Sequence, residues 1–296
     1  MRCVIGGETY DYRDDIRRDE AVRRSFDALA RRTFGLSFEG WYQGGYWQGD
    51  YLPHVLMRGD KVVANVSVNL CPMRLDGEPC RLVQLGTVMT DENFRGRGLA
   101  RFLMERILET WASRCDGMYL YANDSVLGFY PKFDFVRAEE YRYELPLSGE
   151  KPSAVRLSME NAADVRALLN AFGKGNPFAR MAMTANEGLL MFYCSQFLKD
   201  GIRYLPEAGT AAVLEAGDDA LTVWDIFGGD GLRLSDVLTA VAPEGTRRIR
   251  LGFTPTETEG MEAGPLREAD TTLFVRGDIR AALAAERLMF PMLSHA

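Results

Sequence analysis

The sequence predicts an α/β protein made of two similar units, and three observations support that fold class. The 296 residues fit about two domains of ordinary size. Segments with the two-residue period of strands alternate with segments of helical period. After a charged, turn-rich linker at residues 148–153, the second half has the order strand, helix, helix, three strands, helix, strand, which matches the first half in outline. We therefore expect a degenerate duplication, with domains at residues 1–147 and 154–296.

The composition excludes several classes of protein. Hydrophobic residues make up 47% of the chain and charged residues 26%, which is typical of globular proteins and not of disordered ones. No apolar run approaches the ~20 residues that cross a bilayer, and the first residues lack the apolar core of a secretory signal. A net charge of −7 argues against a nucleic-acid partner.

Cysteine and histidine usage narrows the chemistry. Five cysteines with no Cys-x-x-Cys pair argue against a disulfide framework or a zinc site, and free thiols are typical of the cytoplasm. The two histidines, His54 and His295, are poorly placed for a Ser-His-Asp triad. We expect a cytoplasmic protein whose function needs neither metal nor imidazole.

In the first half, the elements follow from apolar periodicity and turn residues. Residues 19–32 read as an amphipathic helix, and the aromatic-rich residues 34–51 as a loop or short helices. Strands are predicted at residues 54–58, 61–73 and 80–90, with a hairpin turn at Asp76 and Gly77. A helix at 99–113, a buried strand at 118–121, a short helix at 125–130 and a strand pair at 135–147 complete the unit.

The second half matches this order in outline. Strands are predicted at residues 154–157, 202–205, 211–215, 221–227, 247–253 and 272–275. Helices are predicted at residues 161–172, 186–199, 234–242 and 279–289. An apolar tail, residues 290–296, follows the last helix.

The most informative segment joins the third strand to the helix that starts at Leu99. Gly96 and Gly98 allow a close backbone approach to a ligand, and Arg95 and Arg97 add positive charge. Free N–H groups at a helix N-terminus form an anion site, which suits a pyrophosphate. The alternative is an ordinary turn with solvated arginines. The P-loop motif and the Gly-x-Gly-x-x-Gly dinucleotide fingerprint are both absent from this segment.

Two motifs here resemble the GNAT N-acetyltransferase superfamily. Arg95-x-x-Gly98-x-Ala100 is similar to the family's Arg/Gln-x-x-Gly-x-Gly/Ala signature. Downstream, Asn123 and the segment from Phe129 to Phe135 resemble the family's second motif, at the usual separation. The resemblance covers residues 1–147 and implies a central, mixed, mostly antiparallel sheet flanked by helices. Asp134 stands where the family commonly has glycine, so we expect a slightly altered turn there.

The resemblance implies an acyl-CoA cosubstrate, usually acetyl-CoA, and no metal. Strand backbone would bond the pantetheine arm, loop and helix N–H groups would wrap the pyrophosphate, and an asparagine on the neighbouring strand would contact the cofactor. The residues at these positions are Val88, Met89, Thr90, Arg95, Gly96, Arg97, Gly98, Leu99, Ala100, Arg101 and Asn123. Tyr130 would be the general acid that protonates the departing thiolate, because tyrosine keeps its proton at neutral pH. A buried tyrosine with a single hydrogen bond is the alternative.

The general base and the acceptor remain open at this stage. Family members often carry a glutamate where this chain has Gln84, and an amide cannot act as a base. Relayed water, or a carboxylate such as Glu39 or Asp50, would have to serve. The aromatic residues 38–51 suit the wall of a site for a cationic amine, or else simple core packing.

The second half has a glycine cluster at residues 228–231 but lacks the leading Arg or Gln, so we expect it to have no CoA site. The layout is similar to the enhanced-intracellular-survival type of acetyltransferase, which pairs an active and a degenerate GNAT domain and can use its terminal carboxylate as base. His295 or the Ala296 carboxylate could reach the first domain's cleft in the same way. The alternative is a tail packed on its own domain.

Together these features predict a cytoplasmic N-acetyltransferase. It would transfer an acetyl group from acetyl-CoA to a primary amine of a small molecule or peptide, by direct attack in a ternary complex. We expect no nucleic-acid or membrane partner. The alternatives are a non-catalytic CoA-binding sensor, which Gln84 favours, and an acyltransferase with another acyl-CoA donor or a hydroxyl acceptor.

Overall fold

The computed structural model describes residues 1–147 and 152–295. Residues 148–151 of the predicted linker therefore lie outside the described residues. The first half contains β1 (Arg2–Ile5), β2 (Glu8–Arg13), α1 (Glu20–Phe34), α2 (Glu39–Gln43), β3 (Tyr51–Arg58), β4 (Lys61–Leu75), β5 (Glu78–Thr90), α3 (Leu99–Trp111), β6 (Gly117–Ala122), β7 (Val136–Arg137) and β8 (Tyr141–Pro146). Short 3-10 turns cover Glu92–Phe94, Asp124–Val126 and Tyr130–Phe133.

The second half matches the order of the first in outline. It contains β9 (Val155–Arg156), α4 (Ala162–Phe172), β10 (Met181–Met183), α5 (Glu187–Gln196), β11 (Ile202–Leu205), β12 (Thr210–Ala216), β13 (Leu221–Phe227), α6 (Leu234–Val241), β14 (Arg248–Leu251), β15 (Glu262–Pro265), β16 (Thr272–Gly277) and α7 (Ile279–Ala285). The predicted order of two helices, three strands, a helix and a strand is present in the first half after β2. In the second half it differs, because β10 lies between α4 and α5 and pairs with β4 of the first half. None of these helices, within the described residues, is both long and apolar enough to span a bilayer.

Local sequence explains where the main elements begin and end. Asp19 caps α1, because its carboxylate accepts the Val22 N–H at 3.2 Å, and Gly35 ends the helix at φ +70°. Asp76 and Gly77 both have positive φ, +51° and +88°, which gives the tight hairpin predicted between β4 and β5. In place of the predicted short helix at residues 125–130, the chain forms two 3-10 turns, Asp124–Val126 and Tyr130–Phe133, which overlap the two ends of that range.

Within the described residues the strands form two mixed, mostly antiparallel sheets, as the fold class predicts. The first has the order β1-β2-β3-β4-β5-β6-β16-β7, with β10 paired to the far end of β4. The second has the order β15-β8-β14-β13-β12-β11-β9. Each sheet contains one parallel pair, β5 with β6 and β13 with β14, and each pair is joined through a helix.

The two halves exchange one strand each. From the second half, β16 inserts between β6 and β7, while β8 of the first half inserts between β14 and β15. The strand pair predicted at residues 135–147 is thus split between the two sheets. Neither sheet is built from one half alone. The division into domains at residues 1–147 and 154–296 therefore stays a prediction.

The two faces of the first sheet bury different partners. On one face, Leu103, Met104 and Ile107 of α3 join a buried apolar cluster. The other face carries α1, α5 and the apolar tail. The rings that the sequence placed in the region 38–51 pack there against one another and against α5. The Trp41 indole donates to the Gly188 carbonyl at 2.7 Å, and Phe38 stacks on Phe192. These rings therefore form core packing between the halves.

Asp225 on β13 is a fully buried carboxyl that should make stability depend on pH. It accepts hydrogen bonds from the Asn176 amide at 2.6 Å and the Ile226 N–H at 2.9 Å, and burial raises its pKa to about 7. A raised pKa means that the folded state holds the proton more tightly than the unfolded state. The contribution to stability is therefore full at low pH and is lost as pH rises through 7.

We predict that Asp225→Asn stabilises the protein more at pH 8 than at pH 5, because asparagine keeps the acceptor oxygen and carries no charge. The melting temperatures of both proteins at the two pH values measure this. An exposed control, Asp230→Asn, should show no such difference. An Asp225→Asn effect that is equal at both pH values would contradict the prediction.

Candidate active site

The first sheet opens into a gap between β5 and β6. Their parallel pairing covers only Leu82–Gly117, Val83–Met118 and Gln84–Tyr119. Beyond it, β5 runs on to Thr90 with β4 alone as partner, and β6 runs on to Ala122 with β16 alone. We call the space between residues 85–90 of β5 and 120–122 of β6 the strand gap. Its edges carry backbone N–H and C=O groups that no other described strand pairs, so an extended ligand fits there.

A β-bulge shapes the β5 side of the strand gap. The register with β4 shifts between Asn65 and Ser67, and Thr87 has a φ of +49°, which is rare outside glycine. The Asn65 amide holds this conformation by donating to the Thr87 carbonyl at 2.8 Å and to the Ser67 hydroxyl at 2.9 Å. Tyr51 completes the support, because its hydroxyl lies 3.0 Å from the Thr87 hydroxyl.

This polar support was not predicted as part of the site. The alternation of Asn65, Ser67 and Asn69 with valines in β4 indicates a strand with one polar face, but that face is buried, with exposures of 0–1%. A polar row under the core is costly unless it is hydrogen-bonded, which makes it a mark of function. The alternating polar residues of β4 were therefore visible in the sequence. They indicate a buried polar row only once both faces of the sheet are known to be covered.

The turn after β5 has the geometry that the glycines predict. Gly96 and Gly98 have φ of +75° and +81°, and a Cβ on Gly96 would meet nothing within 4 Å. Gly98 is the N-cap of α3 and brings no side chain, so the first N–H groups of the helix stay open to a ligand. Leu99, Ala100 and Arg101 form that first turn.

The arginines of the turn are engaged with protein groups. Arg95 donates to the Thr90 carbonyl at 3.3 Å. Arg97 pairs with Glu8 at 2.9 Å and also donates to the Asn93 carbonyl. Arg101 pairs with Glu105 on α3. The β1–β2 hairpin that supplies Glu8 was not predicted from sequence, and it braces the turn from outside.

Val88, Met89 and Thr90 end β5 on one side of the strand gap, and Asn123 directly follows β6 on the other. The Asn123 amide donates to the Asp270 carboxylate at 2.8 Å, and the Asp124 N–H donates to the same carboxylate at 2.6 Å. A residue of the second half thus holds Asn123 in place.

Tyr130 begins the 3-10 turn after β6 and is 3% exposed. Its ring packs against Phe129 and Phe274. Its hydroxyl forms no hydrogen bond within residues 1–147 and 152–295, and burial raises its pKa to about 12, so it keeps its proton. Four residues on, Asp134 has a φ of +66°. Asp134 thus adopts the left-handed conformation for which glycine is the usual choice, and the turn keeps that conformation.

The carboxylates suggested as bases lie in unequal settings. Glu39 is paired with Arg23 and bonded by Gln43, and these contacts hold its pKa below the usual range. Asp50 is half-buried, and desolvation raises its pKa. Gln84 is fully buried, accepts from the Asn69 amide at 2.9 Å and donates to the Leu85 carbonyl at 3.1 Å.

The apolar tail docks on β6 of the first sheet. Phe290 stacks on Tyr119 with ring centroids 4.0 Å apart, and the Tyr119 hydroxyl donates to the Ser294 carbonyl at 2.8 Å. The His295 Nε2 lies 2.7 Å from the Tyr121 hydroxyl. The tail therefore contacts β6 of the first half, and it also packs on its own half, where the Tyr193 hydroxyl donates to the His295 carbonyl and the Met292 N–H to the Gly252 carbonyl. A role of His295 or Ala296 in the cleft stays a prediction. Ala296 lies outside the described residues.

Comparison with known proteins agrees with this architecture. Residues 28–138 match the family model of the acetyltransferase (GNAT) domain. A probable N-acyltransferase from Enterococcus faecalis is similar in structure, with a TM-score of 0.61, 10% identity, and coverage of 91% of this chain and 72% of that one. A GCN5-related N-acetyltransferase from Kribbella flavida is also similar, with a TM-score of 0.57, 16% identity, and coverage of 94% of this chain and 74% of that one. Eis1 from Mycobacterium abscessus has a TM-score of 0.56, 17% identity, and coverage of 94% of this chain and 76% of that one. The sequence matches no curated protein at a significant level.

The match over residues 28–138 and the similar fold of known N-acetyltransferases support an acyltransferase of the GNAT type, a class that transfers an acyl group from acetyl-CoA. Most of this chain shares its fold with Eis1, and the division into two GNAT-like units stays a prediction. The predicted family and fold class are confirmed. The roles of the individual site residues remain predictions.

We predict that Asn65→Leu lowers the free energy of unfolding by about 1–3 kcal/mol, because the buried Thr87 carbonyl loses its donor. Urea unfolding measures the change. The exposed Asn93→Leu should stay within about 0.5 kcal/mol of the wild type. A wild-type stability for Asn65→Leu would show that Asn65 does not hold the bulge.

Proposed function

We propose that the chain transfers the acetyl group of acetyl-CoA to a primary amine of a small molecule or peptide, by direct attack within a ternary complex. The strand gap is the observation that carries this proposal. It leaves one edge of β5 without a strand partner, next to a glycine turn and the N-terminus of a 13-residue helix. An acyl-CoA has an amide-bearing arm that can pair with the free edge of β5. It also has a pyrophosphate that can bind at the glycine turn and the helix N-terminus.

The pantetheine arm would lie along Val88, Met89 and Thr90. Its amides can exchange hydrogen bonds with that backbone much as a neighbouring strand would. Asn123 would contact the arm from the β6 side. Its amide donates to the Asp270 carboxylate, which fixes the orientation of the side chain. The bulge at Thr87 supports this run of β5, and an N–H group there is suited to stabilise the oxyanion of the tetrahedral intermediate.

The pyrophosphate would lie against the turn and the first turn of α3. Backbone N–H groups of residues 96–101 and the positive end of the helix dipole favour an anion there. The side chains of Arg95, Arg97 and Arg101 add positive charge within the same segment, although each is bonded to a protein group. Binding rests mainly on the backbone, because the glycines keep that surface free of side chains.

Tyr130 would supply the proton that the departing CoA thiolate needs. Its raised pKa keeps the phenol protonated across the physiological range, and its hydroxyl has no competing partner among the described residues. The reaction then joins the amine nitrogen to the acetyl carbonyl carbon and breaks the C–S bond. Catalysis comes largely from holding nucleophile and thioester together.

A non-catalytic CoA sensor is the second candidate, because Gln84 occupies the position of the family's usual glutamate. Calorimetry with acetyl-CoA and CoA, followed by thiol detection over a panel of amines and one alcohol, separates the two. An enzyme binds and turns over, whereas a sensor only binds. Absence of binding at about 500 µM ligand, which is weaker than about −4.5 kcal/mol, would reject both. The free cysteines support a cytoplasmic location for this activity.

We predict that Gly96→Ala weakens CoA binding at least tenfold, because a Cβ enters the pyrophosphate surface and strains a φ of +75°. Gly175→Ala is a matched control: its φ is +76°, it also has open space at Cβ, and it lies in the second half. Both variants should lose similar stability, and only Gly96→Ala should lose affinity in calorimetry. Equal CoA affinity in the two variants would remove the turn from the binding site.

We predict that Tyr130→Phe lowers kcat by about 10²–10⁴ and leaves the CoA dissociation constant unchanged, because only the proton donor is lost. Steady-state kinetics and calorimetry measure the two quantities. Tyr143→Phe removes a buried hydroxyl in the second sheet and should change neither. A Tyr130→Phe variant with wild-type turnover would exclude Tyr130 as the acid.

A further inference from the structure

Glu140 is a buried carboxylate that the proposed mechanism has not used. It lies between β7 and β8 and is 5% exposed. Its Oε1 accepts the Phe290 N–H at 2.8 Å and the Tyr121 hydroxyl at 3.2 Å. No cation pairs with it within the described residues, since the nearby Arg142 guanidinium is bonded to Glu268. Asp225 is also buried without a counter-ion, but Glu140 differs from it in lining a cavity, and a perturbed carboxyl beside a cavity is a candidate for function.

Tyr121 links this carboxyl to the strand gap and to the tail. It stands on β6 two residues beyond Tyr119, where pairing with β5 has ended. Its hydroxyl lies 3.2 Å from Glu140 Oε1 and 2.7 Å from His295 Nε2, so the three side chains form one continuous hydrogen-bonded chain. The imidazole also stacks on the Tyr121 ring, with centroids 4.0 Å apart.

A cavity of about 260 Å³ opens on this chain. Its lining consists of Tyr121, His295, residues 138–140, residues 265–268 and residues 271–273. The volume is sufficient for the reactive end of an amine. Tyr121 is the lining residue that also belongs to the strand gap, so its hydroxyl connects the two spaces.

We propose that Glu140 is the terminal acceptor of the proton that the amine loses, and that the Tyr121 hydroxyl passes that proton on. The inference rests on the proposed function and supplies the base that Gln84 cannot be. Before attack, the bound ammonium gives one proton to the Tyr121 oxygen and the Tyr121 proton moves to Glu140, which leaves a neutral amine. The amine nitrogen then bonds to the acetyl carbon, the C–S bond breaks and the thiolate takes the Tyr130 proton. The second nitrogen proton and the Glu140 proton pass to solvent, which returns one proton to Tyr130.

The charges around Glu140 suit this task. Tyr121 faces it from β6, His295 and the Phe290 N–H from the tail, Arg142 from β8 and Glu268 from the segment after β15. Burial outweighs these contacts and raises the pKa of Glu140 to about 7, which is close to the ideal for a base at neutral pH. Burial lowers the pKa of His295 to about 3, so the imidazole is neutral throughout the working range, and the pKa of Tyr121 is raised.

The test compares wild type, Glu140→Gln and Glu244→Gln, using the amine with the highest wild-type turnover in the panel. Glutamine keeps an oxygen for Phe290 and Tyr121. Glu244 is an exposed carboxyl away from the cavity, and its side chain has no hydrogen bond or ion pair in the described part of the chain. We expect kcat/KM of the wild type and Glu244→Gln to rise with pH through a limb near 7. Glu140→Gln should lose that limb and about 10²-fold in rate at pH 7, with an unchanged KM for acetyl-CoA.

Two further measurements distinguish a proton acceptor from a structural residue. The Glu140→Gln rate should recover with trifluoroethylamine, a weakly basic amine that needs no deprotonation at pH 7. Tyr121→Phe should reproduce the loss of the limb, and it keeps the inference testable if Glu140→Gln does not fold. A folded Glu140→Gln that retains the limb, or that loses rate equally at every pH and with both amines, would overturn the inference. A wild type that turns over no amine would instead reject the proposed function itself.

Discussion

The parting of β5 from β6 after Gln84 and Tyr119 is the constraint on which the rest of the structure depends. Two parallel strands that separate inside a sheet leave a row of backbone donors and acceptors without partners, and such groups must be satisfied by something. The bulge at Thr87, the glycine turn and the open end of α3 all border that one opening. In the proposed complex an acyl-CoA would occupy this opening, and its contacts there would be mostly with backbone.

The strand exchange makes this opening a joint product of both halves. β16 of the second half supports the outer edge of β6, and the same half supplies Asp270 to Asn123 and the tail to Tyr119 and Tyr121. Residues 1–147 alone would lack these supports. The second half, whose glycine cluster has no leading Arg or Gln, thus contributes contacts along the border of the strand gap.

The sequence predicted what is local and missed what depends on pairing over long distances. Helix α1, the hairpin at Asp76 and Gly77 and the glycine turn follow from periodicity and turn chemistry, which act within a few residues. The exchange of β8 and β16 could not be predicted, because residue periodicity indicates that a segment is a strand but not which strand it pairs with. Glu140 was missed for the same reason: a glutamate between two strands looks exposed until the tail, which is 150 residues away, covers it.

We infer that an acyl-CoA completes the first sheet along β5, and hydrogen–deuterium exchange of the wild type, with and without CoA, tests this inference. Peptides covering residues 85–90 should become protected when CoA is bound, while peptides covering β16, which is paired on both edges, should not change. Unchanged exchange at residues 85–90, in a sample whose CoA binding calorimetry has established, would contradict it.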